Sequence, residues 1–414
     1  MDDDRKKWIA AAAGAAAVLL IAGGLMLRHR PNPAPGPAAT APGDHPPAPL
    51  AESAAAPSRD AAGKPRINAV EVEICGRGKV PLGDDDFAVP RFLEATTHKA
   101  WERWLSAMLD SGDNRARAAG LLLKGKLGNG ELVGKPMTDE SRDELVQLAA
   151  GAGDPAVYAM AVYACGILSA PAGGSCIRIS LSAWAALDPG NAVPWLSLAA
   201  AARANHDAAA EADAFARAAA AGSINAYNWS LLSYAETDMP RETTPLERQF
   251  LSVELMGVMA ALPTPYRIAS MHCTAEALLQ ADVHEECNAL AELMVRQGTT
   301  LLDLGFGKGL GARLGWPKQR VDALEQERDA LLGAAVLEVP HDAKEGWSCS
   351  AAERTNAYLG RFDALGELGA AREILERSGE TVPSMALKWK AYWEQLRKES
   401  AGQVQEDQPQ DVSR

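Results

Sequence analysis

The chain has 414 residues, of which 23% are charged, and its many alanines raise the hydrophobic share to 47%. This composition excludes a fully disordered chain, a collagen and a membrane protein with many spans. The formal net charge is −13, and because an acidic surface repels polyanions, we do not expect nucleic acid as a partner.

Residues 8–27 form a run of twenty residues without a charged side chain. As a helix, this run would span about 30 Å, the thickness of the hydrocarbon core of a bilayer. It ends in Leu25-Met26-Leu27, a poor cleavage site, which favours an uncleaved signal anchor over a cleaved signal peptide. Three basic residues before the run and two after it weakly favour a cytoplasmic amino terminus, residues 1–7. We therefore expect a single-pass inner-membrane protein that contacts the lipid bilayer through 8–27, with its carboxyl-terminal domain in the periplasm.

Residues 31–65 contain ten prolines and eleven alanines in 35 positions. Proline lacks a backbone N–H donor and fixes φ, so we expect this segment to form neither a helix nor a sheet. The composition is typical of a semi-rigid disordered linker that would hold the folded domain away from the membrane. The polar tail 399–414 is also expected to be disordered.

The region 66–398 has a helical pattern almost throughout, after one β-like stretch at 67–74. Apolar residues recur there at three- and four-residue spacing between turn signals. Capping signals mark several helix starts, among them Asp154-Pro155 and the capping-box forms at 244–247 and 350–353. Short connections between these helices predict an all-α fold, a solenoid of antiparallel helix hairpins.

One helix pair in this region, 188–221, carries a recognisable repeat pattern. Its first helix has a tryptophan, a leucine and an alanine at packing positions, and its second has a large and a small residue that seal a hairpin. The residues are Trp195, Leu198, Ala199, Phe215 and Ala218. The pattern resembles a tetratricopeptide repeat, a helix pair of about 34 residues, although Ala202 stands where that family usually has tyrosine. The whole chain is similar to membrane-anchored proteobacterial proteins with degenerate repeats, which implies a helical-repeat domain.

Six cysteines lie outside the predicted anchor, and their even number predicts disulfide bonds in an oxidising compartment. Two pairs are close in sequence, each at the facing ends of two successive predicted helices. Facing helices can bring Cα atoms to the separation of about 5.5 Å that a disulfide needs. Fifteen connectivities are formally possible. The predicted pairs are Cys165–Cys176, Cys273–Cys287 and, as the remainder, Cys75–Cys349.

A zinc site is the alternative at one of these pairs. His272-Cys273 and His284-x-x-Cys287 offer two histidines and two cysteines, the ligand types of tetrahedral zinc. Adjacent residues on a helix point about 100° apart, which makes joint ligation by His272 and Cys273 awkward. An oxidising compartment also favours the disulfide, so the sequence predicts no metal site.

The segment 301–309, LLDLGFGKG, resembles the first motif of S-adenosylmethionine-dependent methyltransferases. In that family a hydrophobic strand runs into a glycine-rich turn that admits the cofactor, and an acidic strand end follows about twenty residues later. Glu325 and Glu327 lie at this distance but within a charged helical run, and no alternating β/α pattern surrounds the segment. We therefore expect packing glycines and a turn between helices here, and no cofactor.

These features favour a membrane-anchored extracytoplasmic scaffold or adaptor without catalytic activity. Stacked helix hairpins form extended grooves that bind peptides or proteins, so the expected partner is a protein or peptide that the sequence does not identify. Two alternatives are an enzyme with the methyltransferase-like loop at 301–309 and a passive assembly or spacer element. The seven scattered histidines nominate no catalytic residue.

Overall fold

A computed structural model describes residues 70–76, 78–82, 88–127, 137–167, 173–338 and 347–406. The predicted cytoplasmic segment 1–7, the anchor 8–27 and the linker 31–65 lie outside these described residues. Within the described ranges, no helix is both long and apolar enough to cross a bilayer.

The described chain begins with an antiparallel hairpin of two strands, β1 (Val70–Ile74) and β2 (Gly78–Leu82). Gly76 in the turn has a positive φ of 81°, which glycine adopts without steric cost. The sequence predicts only the first strand, because glycine and proline at Gly78 and Pro81 give the second a low strand propensity.

Sixteen helices follow within the described ranges. They are α1 Ala88–Leu109, α2 Asn114–Leu127, α3 Asp139–Ala152, α4 Pro155–Cys165, α5 Leu181–Leu187, α6 Ala192–Ala204, α7 Ala208–Ala219, α8 Ser230–Glu236, α9 Pro245–Ala261, α10 Arg267–His272, α11 Ala281–Gln297, α12 Leu301–Arg313, α13 Lys318–Glu338, α14 Cys349–Leu359, α15 Phe362–Ser378 and α16 Val382–Glu406. Helix α15 is interrupted at Gly366, where the backbone leaves the helical conformation.

Hydrogen-bonding side chains begin many of these helices, several at positions that the sequence indicates. Asp154 accepts hydrogen bonds from two amides in the first turn of α4. Thr244 and Glu247 form the predicted capping box of α9. The prediction at 350–353 is wrong by two residues, because Ser348 rather than Ser350 caps α14.

The carboxyl-terminal helix runs further than the sequence predicts. Helix α16 ends at Glu406, so the first part of the predicted disordered tail 399–414 is helical. No proline occurs in this tail before Pro409, and its Glu, Gln and Ala residues are good helix formers. Polarity alone therefore does not end the helix.

Neighbouring helices pack on one another along much of the chain. Helices α1 to α4 make contact in sequence, α6 packs on α7, and α11, α12 and α13 follow in series. Other contacts join distant helices, since α8 touches α2 and α15 while α9 touches α1 and α14. The all-α prediction is confirmed. A single open row of hairpins does not describe these contacts, because the middle helices bind both the first and the last ones.

One extended apolar core connects most of the helices. Its largest fully buried side chains include Trp104, Trp184 and Phe215. Trp104 also donates a 2.6 Å hydrogen bond from its indole nitrogen to the carbonyl of Ala235, which joins α1 to α8. The chain therefore closes back on itself at α8 instead of continuing outward.

A second, smaller cluster holds the β-hairpin against α9 and α14, and we call it the hairpin core. Its buried members are Ile74, Cys75, Leu246, Phe250 and Ala352. Trp347 packs on this cluster, with its ring stacked 5.3 Å from that of Phe250.

All six cysteines are paired, in the three pairs that helix placement predicts. The Cα atoms lie 5.6 Å apart in Cys165–Cys176 and 6.0 Å apart in Cys273–Cys287, and each pair links the end of one element to a nearby one. In Cys75–Cys349 they lie 4.5 Å apart and join the hairpin turn to α14 across 274 positions.

Candidate functional site around residues 222–229

The segment 222–229 connects α7 to α8, donates a hydrogen bond to the Asp188 carboxylate and shares a small cavity with Asp303. It is fixed by backbone hydrogen bonds to the turn before α6, where the Ala192 amide donates to the Ser223 carbonyl at 2.9 Å. The Asn191 side chain strengthens this contact. It donates to the Asn225 carbonyl at 2.8 Å and accepts from the Asn225 amide at 2.9 Å. The predicted repeat hairpin and this segment therefore form one unit.

Tyr227 occupies an unusual backbone conformation within the segment. Its φ is 59°, in the left-handed region that bulky side chains rarely adopt. Such a residue costs about 1–3 kcal/mol unless its surroundings stabilise it. Here the Tyr227 amide donates to the Asn225 side chain at 2.8 Å, and its hydroxyl donates to the Asp188 carboxylate at 2.8 Å.

The Asp188 carboxylate accepts hydrogen bonds from two side chains on this side of the segment. One of its oxygens also accepts a 2.7 Å hydrogen bond from the Asn191 side chain. Burial raises the pKa of the Tyr227 hydroxyl well above its ordinary value, and the hydrogen bond to Asp188 raises it further. The hydroxyl therefore stays protonated at physiological pH and acts as a donor.

Two more groups complete this surface. Arg115 donates a 2.7 Å hydrogen bond to Asp154, and its guanidinium lies 5.3 Å from the centre of the Tyr234 ring. Asp154 raises the pKa of Arg115 through that hydrogen bond. Both Asp154 and Tyr234 also raise the pKa of Tyr227 electrostatically. The patch so formed, which we call the Asp188 patch, comprises Arg115, Asp154, Asp188, Tyr227 and Tyr234.

The other side of the segment faces a small polar cavity. Asn228 and Trp229 line it together with Tyr266 and Asp303, and its volume of about 10 Å³ has room for about one water molecule. The Tyr266 hydroxyl donates to the Asp303 carboxylate at 2.6 Å. Asp303 is 1% exposed, and burial raises its pKa although its hydrogen bonds oppose the rise.

Asp303 and Glu367 both bind the amino-terminal end of α12. Asp303 accepts from the Thr299 and Thr300 amides, each at 2.9 Å, and Glu367 accepts from the Leu301 amide at 3.0 Å. Burial raises the pKa of Glu367 to about 7, and the nearby Asp303 charge adds to the rise. Carboxylates are stabilised at a helix amino terminus by the unpaired N–H groups there.

The five residues of the repeat pattern lie on α6 and α7, which pack against each other. Three of them, Ala199, Phe215 and Ala218, are buried. Trp195 and Leu198 are only half-buried. Trp195 instead donates a 3.0 Å hydrogen bond to the Pro189 carbonyl, at the edge of the Asp188 patch.

The glycine-rich segment 301–309 is wrongly predicted as a turn, because it forms most of the helix α12. Thr300 and Asp303 begin the helix with a capping box. Gly307 lies so close to α11 that a Cβ there would be 2.8 Å from the Cβ of Met294. The strand and glycine-rich turn of the methyltransferase motif are thus not formed at this place.

Three of the four alternative zinc ligands are engaged in other contacts. Cys273 and Cys287 are bonded to each other. His272 lies 3.1 Å from Glu211 and stacks on Phe215 at 3.9 Å between ring centres, while His284 is exposed. The described residues contain no group of three or more side chains placed to hold a metal ion.

Neither Tyr227 nor the pair of Glu367 with Asp303 is predicted from the sequence as part of a functional site. Asp188 and Asn225 are turn-forming residue types that indicate a loop, but nothing in the sequence shows that Tyr227 bonds to Asp188. No family model, curated protein or solved structure matches this chain. The resemblance to tetratricopeptide repeats therefore rests on residues 188–221 alone.

Proposed function

We propose that this chain is a membrane-anchored helical protein whose folded domain lies outside the cytoplasm and binds a protein or peptide partner, as a scaffold or adaptor. The observation that carries the proposal is the pairing of all six cysteines. Disulfides persist in oxidising compartments and are rare in the cytosol. In this proposal, residues 8–27 anchor the chain in the inner membrane and 31–65 form the spacer.

The Asp188 patch is the surface that we propose for partner binding. Tyrosine and arginine are the residue types that most often dominate binding energy at protein interfaces, and the patch presents two tyrosines beside Arg115. Its Asp188 carboxylate and Tyr227 hydroxyl are held in fixed positions, so little conformational entropy is lost when they bind. The strained backbone at Tyr227 supports the same proposal, because such strain is concentrated at functional sites.

The cavities beside Asp303 and Arg313 favour a surface over a small-molecule pocket. Each has a volume of about 10 Å³, whereas pockets for organic ligands have about 300–1,000 Å³. Neither cavity could hold an organic substrate without opening. A folded partner, in contrast, needs only an accessible surface, which the exposed Pro189 and Arg115 provide.

The compartment is tested by a topology fusion after Lys398, with one reporter active only outside the cytoplasm and another active only inside it. We expect activity of the first reporter alone. A matched fusion that lacks residues 1–30 should reverse the result. Activity of the cytoplasmic reporter in the full chain, or six free thiols in freshly trapped protein, would contradict the proposal.

Partner binding is tested by a photo-reactive amino acid placed at position 189, beside the Asp188 patch, in living cells. The control position is Leu387, which is 67% exposed on α16. We expect a discrete cross-linked species from position 189 that weakens in the Asp188→Asn variant and does not form from position 387. The same bands from both positions, or none from either, would favour a passive spacer.

A further inference from the structure

We propose that the Cys75–Cys349 disulfide is a reducible clasp, which a dithiol reductant opens before the other two disulfides and which then releases the β-hairpin from α14. This inference adds redox control to the molecule. It holds whether or not the Asp188 patch binds a partner.

The three disulfides differ in access to solvent. Cys273 and Cys287 are both fully buried, so a reductant reaches them only after the surrounding helices open. Cys349 is partly exposed, although its partner Cys75 is only 7% exposed. Attack by an external thiol requires access to a sulfur atom, which ranks Cys75–Cys349 ahead of Cys273–Cys287.

Cys75–Cys349 and Cys165–Cys176 differ in how their partly exposed cysteine is placed at the end of a helix. Cys349 is the first residue of α14, where unpaired N–H groups favour a thiolate. Cys165 is the last residue of α4, at the negative end of that helix, where a thiolate is disfavoured. In each pair the partly exposed sulfur, Cys349 or Cys165, is attacked first and then leaves when the second thiol of the reductant closes the reductant's own disulfide. Because a more stable thiolate leaves faster in this second step, Cys75–Cys349 is reduced more readily than Cys165–Cys176.

The exchange proceeds in two steps. A thiolate of the reductant attacks the partly exposed Cys349 Sγ, the Cys75–Cys349 bond breaks, and its electron pair leaves on Cys75 Sγ as a thiolate. The second thiol of the reductant then displaces Cys349 Sγ, which also leaves as a thiolate. The reductant ends as a disulfide, two electrons have moved to the protein, and the two protons of the dithiol pass to the cysteines or to solvent.

Apart from the disulfide, the described residues make few contacts that hold the hairpin to α14 and to the residues just before it. The Cys75 amide donates a 2.8 Å hydrogen bond to the Trp347 carbonyl, and Ile74 is buried in the hairpin core. This core is small and separate from the extended core of the domain. Once the clasp opens, this small core and the hydrogen bond from Cys75 are the described contacts left to hold the hairpin, so we expect the hairpin to separate while the helices and the other two disulfides stay in place.

The test uses the full chain in detergent, treated with dithiothreitol for increasing times and then alkylated and mapped by mass spectrometry. We expect the Cys75 and Cys349 peptides to be alkylated at least tenfold faster than those of either other pair. The helical circular dichroism signal should stay unchanged. Trypsin should begin to cut after Lys79 in step with the alkylation.

Equal rates for Cys165 and Cys75, or reduction of all three disulfides together with loss of helical signal, would overturn the proposal. A pair of variants gives an independent readout. The double change Cys75→Ser and Cys349→Ser should make Lys79 sensitive to trypsin without a reductant. The matched double change Cys165→Ser and Cys176→Ser should leave Lys79 protected, and equal sensitivity in both variants would count against a clasp.

Discussion

The backbone amide of Leu301 donates a 3.0 Å hydrogen bond to the side-chain carboxylate of Glu367, which lies 66 positions further along the chain. A second bond runs beside it, from the Leu368 amide to the Thr299 carbonyl at 3.0 Å. The break in α15 at Gly366 allows both contacts, because it turns the backbone towards the start of α12. These two contacts between α15 and the start of α12 make the stability of the domain sensitive to pH and to substitutions at Gly366.

The Glu367→Gln variant should remove a pH dependence of stability. Burial raises the pKa of Glu367 from 4.5 to about 7 in the folded chain, so the folded state binds the proton more tightly than the unfolded state. The free energy of unfolding should therefore fall as the pH rises from about 4.5 through about 7, by at most about 3 kcal/mol. At pH 8 the variant should be more stable than the unmodified chain.

Urea denaturation at several pH values between 5 and 8 measures this effect. The control is Glu376→Gln, which removes an exposed carboxylate from the same helix. We expect the control to follow the unmodified chain at every pH. Parallel pH profiles for Glu367→Gln and the unmodified chain would show that Glu367 does not titrate differently on folding.

The Gly366→Ala variant should lose stability by about 2–4 kcal/mol. Gly366 has a φ of 66°, and a Cβ added there would lie 2.8 Å from the Thr299 carbonyl oxygen. Gly379→Ala is the matched control, since φ is 69° there and no atom lies within 4 Å of the added Cβ. In the control, only the cost of placing an alanine in the left-handed backbone conformation applies, which is about 1–2 kcal/mol. Equal shifts in the urea midpoint would show that the contact with Thr299 is unimportant.

Two glycines within α12 should respond to alanine in opposite directions. No atom lies within 4 Å of a Cβ added at Gly305, so Gly305→Ala should stabilise the helix by about 0.5–1 kcal/mol. A Cβ at Gly307 would be 2.8 Å from Met294 and 2.9 Å from Val295, so Gly307→Ala should destabilise by about 1–3 kcal/mol. Thermal unfolding of both variants measures the difference. Loss of stability in Gly305→Ala would argue against a helix here.

Phe215→Ala should cost more stability than Trp195→Ala, although tryptophan is the larger side chain. Phe215 is fully buried and stacked on His272 at 3.9 Å, which predicts a loss of about 3–5 kcal/mol. Trp195 is half-buried beside the Arg217 guanidinium at 5.0 Å, so its removal should cost about 1–2 kcal/mol. Urea midpoints of the two variants check the order. A larger loss for Trp195→Ala would place the tryptophan in the core.

Local signals in the sequence account for much of the helical fold. The capping box at Thr244 and Glu247 and the cap at Asp154 both form where they are predicted, because the interacting atoms are three residues apart or fewer. The two short-range disulfides are predictable because only 11 and 14 positions separate their cysteines, so the short connection between successive elements brings their Cα atoms together.

Contacts between distant residues explain what could not be predicted. Glycine has a low helix propensity, so the pattern at 301–309 indicates a turn, yet the close approach of Met294 and Trp316 makes small residues favourable in α12. The bond from Tyr227 to Asp188 likewise spans 39 positions. No periodicity encodes such a contact, and the candidate site could therefore be recognised only from the structure.

The Cys75–Cys349 bond also determines how the domain bears mechanical load. A force applied between the chain ahead of Val70 and the chain after α14 reaches Cys75 within one strand and passes through the sulfur atoms into α14. The helices between these two cysteines lie outside that path, so tension from the amino-terminal side would not peel them apart. The Asp188 patch lies within this shielded stretch and would keep its geometry while the chain is pulled.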